Sequence, residues 1–236
     1  FGHLQPVVDF LADRLALSEA SEQPFVLPPI LLVGPPGVGK TYFASRLAEI
    51  LKVPMRAIDM GGQQTNSHLH GSDRHWGNSR AGVLFELLVL CDTGMEAVAN
   101  PVLVLDELDK VSRSDDRYNP MAPLHAALEP VTARRTRDLC NHVVFDASRV
   151  IYVATANSLR DLPDPLLSRF RMFYCGPADL RQGLRMAQAI AQRVIDDAGL
   201  AWEFEPIEHG LLVRLAEHTP RAMVQRLTEA LARAVA

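Results

Sequence analysis

The stretch Ile30-Leu31-Leu32-Val33-Gly34-Pro35-Pro36-Gly37-Val38-Gly39-Lys40-Thr41 constrains this chain more than any other. Its four leading apolar residues read as a buried strand, the loop fits G-x-x-x-x-G-K-[ST], and a helix begins where the loop ends. Gly34, Gly37 and Gly39 allow the backbone to curl until its N–H groups converge on anionic oxygens. The helix starting near Lys40 adds the positive end of its dipole. Lys40 is placed to reach β- and γ-phosphates, and the Thr41 hydroxyl to ligate Mg²⁺. The strand and helix on either side separate this loop from an ordinary Gly/Pro turn. The pattern implies a nucleoside triphosphate site in an α/β fold.

The 236 residues, 48% of them hydrophobic, suffice for one large domain with a small satellite. A net charge of −4 supplies no global basic field to recruit nucleic acid. Lysine occurs only at Lys40, Lys52 and Lys110, which leaves few candidates for lysine chemistry away from the loop. Cys91, Cys140 and Cys175 form no C-x-x-C pair and read as reduced core residues of a cytoplasmic protein. No apolar run approaches the ~18 residues of a membrane span. A chain beginning with Phe1 is expected to be a fragment of a longer one.

Apolar side chains at Val7, Phe10, Leu11 and Leu15 have helical spacing, and 18–29 reads as a polar connector. Phe43, Ala44, Leu47, Ala48 and Leu51 make a second helix with one apolar face, and 55–60 reads as a strand. Residues 61–80 are polar, glycine-rich and long, the kind of segment that is functional or mobile when found inside a compact domain. Trp76 stands there without apolar neighbours in sequence, as an aromatic that grips something or folds back on the core. His68, His70 and His75 lack the Cys or carboxylate spacing that completes a metal site.

A buried helix is expected from 82 to 91, and then Pro101-Val-Leu-Val-Leu-Asp106-Glu107 gives a buried strand ending in two acids. Doubly wound sheets place their chemistry at such carboxyl ends. Asp106 would hold the Mg²⁺ shell and Glu107 would orient and polarise the attacking water. A helix is expected over 121–131, and Arg134, Arg135 and Arg137 form a small basic cluster, either a solvated loop or a contact to phosphate or a neighbouring subunit. Val150 to Thr155 is a further buried strand, followed by Asn157, whose amide can bond a γ-phosphate oxygen or the attacking water. Residues 163–171 are short and helix-like, and 172–175 is a last strand. From Asp179 onward only helical periodicity remains: Leu180 to Val194, Leu211 to Leu215 and Met223 to Leu231, with Gly176-Pro177 as the hinge.

In this order the motifs resemble the AAA+ ATPases, and within them the ATPase module of Lon proteases, along nearly the whole chain. GPPGVGKT (34–41) and VLVLDELDK (102–110) are similar to that family's Walker A and Walker B segments. VIYVATANSL (150–159) resembles its sensor 1 strand, with Asn157 as sensor. PDPLLSRF (163–170) is similar to the segment bearing the arginine finger, which falls on Arg169. HTPRAMVQRL (218–227) resembles the lid helix with the sensor 2 arginine, here Arg221. The resemblance implies nucleotide contacts from Pro35, Pro36, Gly37, Val38, Gly39, Lys40, Thr41 and Tyr42, and on the adenine side from Gly2 and His3. In the Lon substrate loop an aromatic residue grips polypeptide; it falls on Trp76, and Gly77 stands where Lon has an aliphatic residue. Lon's Ser–Lys peptidase dyad has no counterpart here, because none of the three lysines is free for it.

The resemblance implies a P-loop α/β (AAA+) domain with a parallel sheet over 1–176 and a small all-helical lid domain over 177–236. It also implies ATP and Mg²⁺ as ligands, hydrolysis to ADP and phosphate, a self-assembled hexameric ring, and protein as substrate, with or without a separate peptidase. Two other classes are a nucleotide-switched scaffold and a DNA-acting protein such as a helicase loader. Glu107 and Asn157 argue against the first, and the charge and the lack of a basic aromatic groove against the second. The absence of N-K-x-D argues against a GTPase.

Overall fold

The computed structural model describes residues 4–22, 25–75, 77–91, 94, 96–111, 119–176, 179–199 and 207–235. Its first elements are α1 (Gln5–Ser21), β1 (Ile30–Val33), α2 (Lys40–Leu51), β2 (Met55–Asp59), α3 (Val83–Phe85) and β3 (Val102–Asp106). Then come α4 (Leu124–Ala127), α5 (Pro130–Ala133), β4 (Thr136–Arg137), β5 (Val144–Phe145), β6 (Ile151–Ala156), α6 (Asp164–Leu167) and β7 (Arg171–Tyr174). Three longer helices follow among the described residues: α7 (Leu180–Asp197), α8 (His209–Ala216) and α9 (Pro220–Val235). Two compact units result, one of 11–33 and 41–173, the other of 1–10, 34–40 and 174–236.

In the first unit the strand order is β2-β3-β6-β1-β7. The pairings of β2 with β3, β3 with β6 and β6 with β1 are parallel. Ile30–Val33, Val102–Leu105 and Ile151–Ala156 are buried residue after residue. A parallel sheet covered on both faces requires such unbroken apolar runs. Leu31, Leu103, Leu105 and Tyr152 pack with Leu69, Leu84, Leu124 and Leu166 in one core. The registers set Val33 opposite Ala156 and Leu105 opposite Ala154, so β1, β6 and β3 end side by side. One further step along the second register puts Asp106 beside Thr155.

The helix expected over 121–131 is two single turns, α4 and α5, parted at Glu129 (φ −97°, ψ 114°). The ring of Pro130 drives the preceding residue out of helical backbone, and Pro130 then opens α5, where a missing N–H costs nothing. The helix expected over 82–91 is α3 running into a π-helical turn, Glu86–Leu90. The basic loop contains a hairpin, β4 against β5, with Thr136 opposite Phe145.

The described part of 61–80 has neither helix nor strand, but it is tied down. Leu69 is fully buried, Leu139 N donates to His70 O at 2.7 Å, and Gly82 N donates to Asp138 Oδ2 at 2.7 Å. Ser72 N and Arg80 O are 3.0 Å apart, and Arg80 N donates to Ser72 Oγ at 2.8 Å. Trp76 lies outside the described residues.

In the second unit α7 starts from a reciprocal cap: Gln182 N donates to Asp179 Oδ1 at 2.7 Å and Asp179 N to Gln182 Oε1 at 3.1 Å. Ala187 and Ala191 of α7 pack with Leu215 of α8 and with Met223 and Leu227 of α9. The helical periodicity from Leu180 onward is thus realised as three packed helices. Pro177 of the expected hinge lies outside the described residues.

Candidate functional site

The phosphate-loop residues 34–40 belong with the helical unit. Gly37 (φ +80°) and Gly39 (φ +93°) hold left-handed backbone, which residues with a Cβ rarely adopt. A Cβ on Gly37 would lie 3.2 Å from Thr219 Oγ1, so the start of α9 lies against this loop. Arg221 follows in the first turn of α9 and is exposed. Lys40 is only 7% exposed, and its Nζ donates to Gly34 O at 2.7 Å and Pro35 O at 3.0 Å. An ammonium is buried at tolerable cost only when such acceptors surround it, and anionic phosphate oxygens are stronger ones. Pro35 and Pro36 are exposed, Val38 is buried, and Tyr42 is 44% exposed. Gly2 and His3 lie outside the described residues.

The acid end of the sheet belongs to the other unit. Thr41 Oγ1 donates to the Asp106 carboxylate, 3.0 Å from Oδ1 and 3.1 Å from Oδ2. Thr155 is buried, and its hydroxyl donates to Asp106 Oδ1 at 2.5 Å while accepting from Glu107 N at 3.0 Å. Glu107 itself is exposed, in left-handed backbone (φ +54°, ψ 48°) at the turn off β3. For a residue with a Cβ this is sparsely populated backbone, of the kind retained at functional sites. Asn157 directly follows β6, and the next residue donates its N–H to Asp109 Oδ2 at 3.2 Å.

A hydroxyl and a carboxylate 3.0 Å apart make a hard-oxygen donor set that fits Mg²⁺. This ion is typically held by one or two carboxylates plus substrate phosphates rather than by a cage. No cluster of three or more His, Cys, Asp or Glu able to hold a metal occurs among the described residues. His68 and His70 are half-buried in the 61–80 segment, and burial pulls both below the usual imidazole range. Arg169 is half-buried just after α6, its guanidinium bonded to Pro165 O, and Nε finds no partner among the described residues.

The structure thus brings together Thr41, Asp106 and the backbone of Glu107, all singled out from the sequence. It adds Thr155 and Asp109, which sequence reading passed over. Their signal was present in the two strand ends, but their neighbourhood depends on β3 lying next to β6. No helix among the described residues is long and apolar enough to cross a membrane.

Residues 30–177 match the ATPase family associated with various cellular activities (AAA). The peroxisomal Lon protease homolog 2 of Arabidopsis thaliana is 32% identical over 98% of the chain, which covers 26% of that relative. The Lon protease of Heliobacterium modesticaldum is 30% identical over 96% of the chain, covering 27% of that protein. Among solved structures, the RuvB Holliday junction branch migration motor of Thermotoga maritima aligns with a TM-score of 0.59 at 19% identity. That alignment spans 95% of the chain and 60% of the motor, and it reflects a shared fold.

Proposed function

We propose that this chain, which belongs to the ATPase family associated with various cellular activities (AAA), hydrolyses ATP to ADP and phosphate and uses the cycle to remodel protein. The observation that carries the reading is the meeting of Thr41 and Asp106, one at the end of the phosphate loop and one at the end of β3. Backbone N–H groups of the loop and Lys40 bind the β- and γ-phosphates. On binding, Lys40 exchanges the carbonyls of Gly34 and Pro35 for phosphate oxygens. Bound Mg²⁺ supplies neutralisation of phosphate charge, with Thr41 and Asp106 as its protein ligands. Glu107 orients a water and takes its proton, and Asn157 bonds the γ-phosphate or that water. Arg221 reads the phosphates from the start of α9, and Arg169 serves a neighbouring subunit's nucleotide. Gly2 and His3 line the adenine side.

The working division is a nucleotide-binding domain over 1–176 and a lid over 177–236, in a hexameric ring of this chain. Protein as substrate, gripped through Trp76, rests on the likeness to Lon proteases, whose length this chain spans by about a quarter. A peptidase domain or partner would be a further part of the assembly. The three free cysteines favour a reducing compartment, and the cytoplasm is the one proposed.

Glu107→Gln tests the reaction, because it keeps the shape of the side chain and removes its basicity. Nucleotide affinity is expected to persist while phosphate release falls by about 10²–10⁴-fold, the range for loss of a general base. Release at the unaltered rate removes Glu107 from the mechanism. Stimulation of ATP turnover by a denatured protein tests the substrate class; its absence overturns that part.

A further inference from the structure

We propose that Thr155 is a positioning residue for this reaction, setting both Walker B acids through a single hydroxyl; the inference rests on the ATPase reading above. A hydroxyl has one proton to give and two lone pairs to receive. Here the proton goes to Asp106 Oδ1 at 2.5 Å and one lone pair accepts from Glu107 N at 3.0 Å. The two acids are consecutive, but they need different things. Asp106 must present its carboxylate toward Thr41, 3.0 Å away, to share a metal with it. Glu107 must leave the strand line at once, and does so through left-handed backbone at φ +54°. A peptide in that conformation persists only where its surroundings over-determine it. The bond from Glu107 N to Thr155 is such a restraint, and it comes from the neighbouring strand rather than from the turn itself.

Thr155 is 1% exposed within β6, a strand otherwise made of apolar side chains and the Tyr152 ring, so its hydroxyl has a polar use or a cost. Valine keeps the branched shape and volume and removes the hydroxyl. With Thr155→Val, the Asp106 carboxylate loses its donor from β6 while keeping the one from Thr41, and Glu107 loses its restraint. Serine keeps the hydroxyl and loses one methyl group. The two substitutions therefore separate the hydrogen bonds from the packing.

The experiment measures three quantities on Thr155→Val and Thr155→Ser: steady-state kcat and KM for ATP, the gain in ADP affinity on adding Mg²⁺, and the melting temperature. For Thr155→Val, kcat is expected to fall by about 10–100-fold, as when the group orienting a metal ligand is removed. KM should change little, the Mg²⁺-dependent gain in ADP affinity should shrink, and affinity without Mg²⁺ should hold. Thr155→Ser should recover most of both losses. If Thr155→Val does not fold, Thr155→Ala takes its place, since it removes the same hydroxyl without crowding the strand. A folded hydroxyl-free variant with unaltered kcat and an undiminished Mg²⁺ gain overturns the proposal. So do losses that follow the melting temperature and are equal in the serine variant. Failure of the ATPase reading shows differently: the unaltered chain itself would then bind no nucleotide in a Mg²⁺-dependent way.

Discussion

Asp138 is a buried carboxylate whose use is structural, and it shows what one side chain does for the segment ahead of the hairpin. It accepts from Gly82 N at 2.7 Å, Asn141 N at 2.7 Å and Asn141 Nδ2 at 2.8 Å. Asp138→Ala leaves these donors short of an acceptor, each at about 1–3 kcal/mol when buried. A lowered urea midpoint with an unchanged slope is the expected result; an unchanged midpoint would mean that water or a shifted backbone replaces the carboxylate. Trp76 is the opposite kind of residue, an aromatic in a polar stretch. Trp76→Ala should leave folding and basal ATP turnover intact and weaken stimulation by a protein substrate. A stability loss of about 3–5 kcal/mol, as for a core tryptophan, would instead place the ring in a packed environment.

The 61–80 segment and the β4–β5 hairpin act as one element, because the bonds at His70 O and Asp138 join them. His68 and His70 stand at that junction. Burial lowers both, the bond of His68 to Thr65 and the charge of Asp138 near His70 oppose it, and His70 lowers His68 further. The folded chain therefore holds these rings neutral in a pH range where the unfolded chain protonates them. Their contribution to stability is full above the unfolded imidazole pKa and is lost as pH falls through the lowered folded values. Urea midpoints taken at about pH 7.5 and about pH 5.5 should drop toward acid, and less so in His68→Gln/His70→Gln. Equal drops in both proteins would assign the acid sensitivity to other groups. This tie between two elements was not legible in the sequence. The strands at 30–33, 55–59, 102–106, 151–156 and 171–174 were, because four to six apolar or alternating residues between turn signals leave a pattern. Two-residue strands leave none, so the sequence carries no sign of β4 and β5, and Glu129 before Pro130 breaks a helix whose apolar spacing runs through it. Strand order was equally hidden: Thr155 and Asp106 are neighbours only because β6 lies beside β3, which no local pattern encodes.

At the scale of the whole molecule, the proposed hydrolysis of ATP calls for positive charge beyond that of the phosphate loop. The transition state spreads negative charge over more oxygens than Lys40 and one cation cover, and an added arginine in related NTPases contributes about 10³–10⁵ in rate. Arg169, proposed for such a role, follows α6 and precedes β7. Its guanidinium rests on the carbonyl of Pro165 and its positive charge bears on His125, while Nε stays without a partner among the described residues. A guanidinium held by one carbonyl of its own helix gives up little on turning to a phosphate. Acting across a ring, Arg169→Ala should bind ATP normally and hydrolyse it poorly. Lys40→Ala should fail for the other reason, since it loses its own nucleotide and keeps the finger. Mixed rings then contain interfaces in which an intact loop meets an intact finger, so mixing two inactive variants should restore part of the turnover. Arg171, exposed and 5.9 Å over the Phe173 ring, is the neighbouring arginine, and Arg171→Ala is expected to leave turnover largely intact. If mixed rings form without any recovery, or if a demonstrated monomer hydrolyses ATP at full rate, Arg169 does not act in trans.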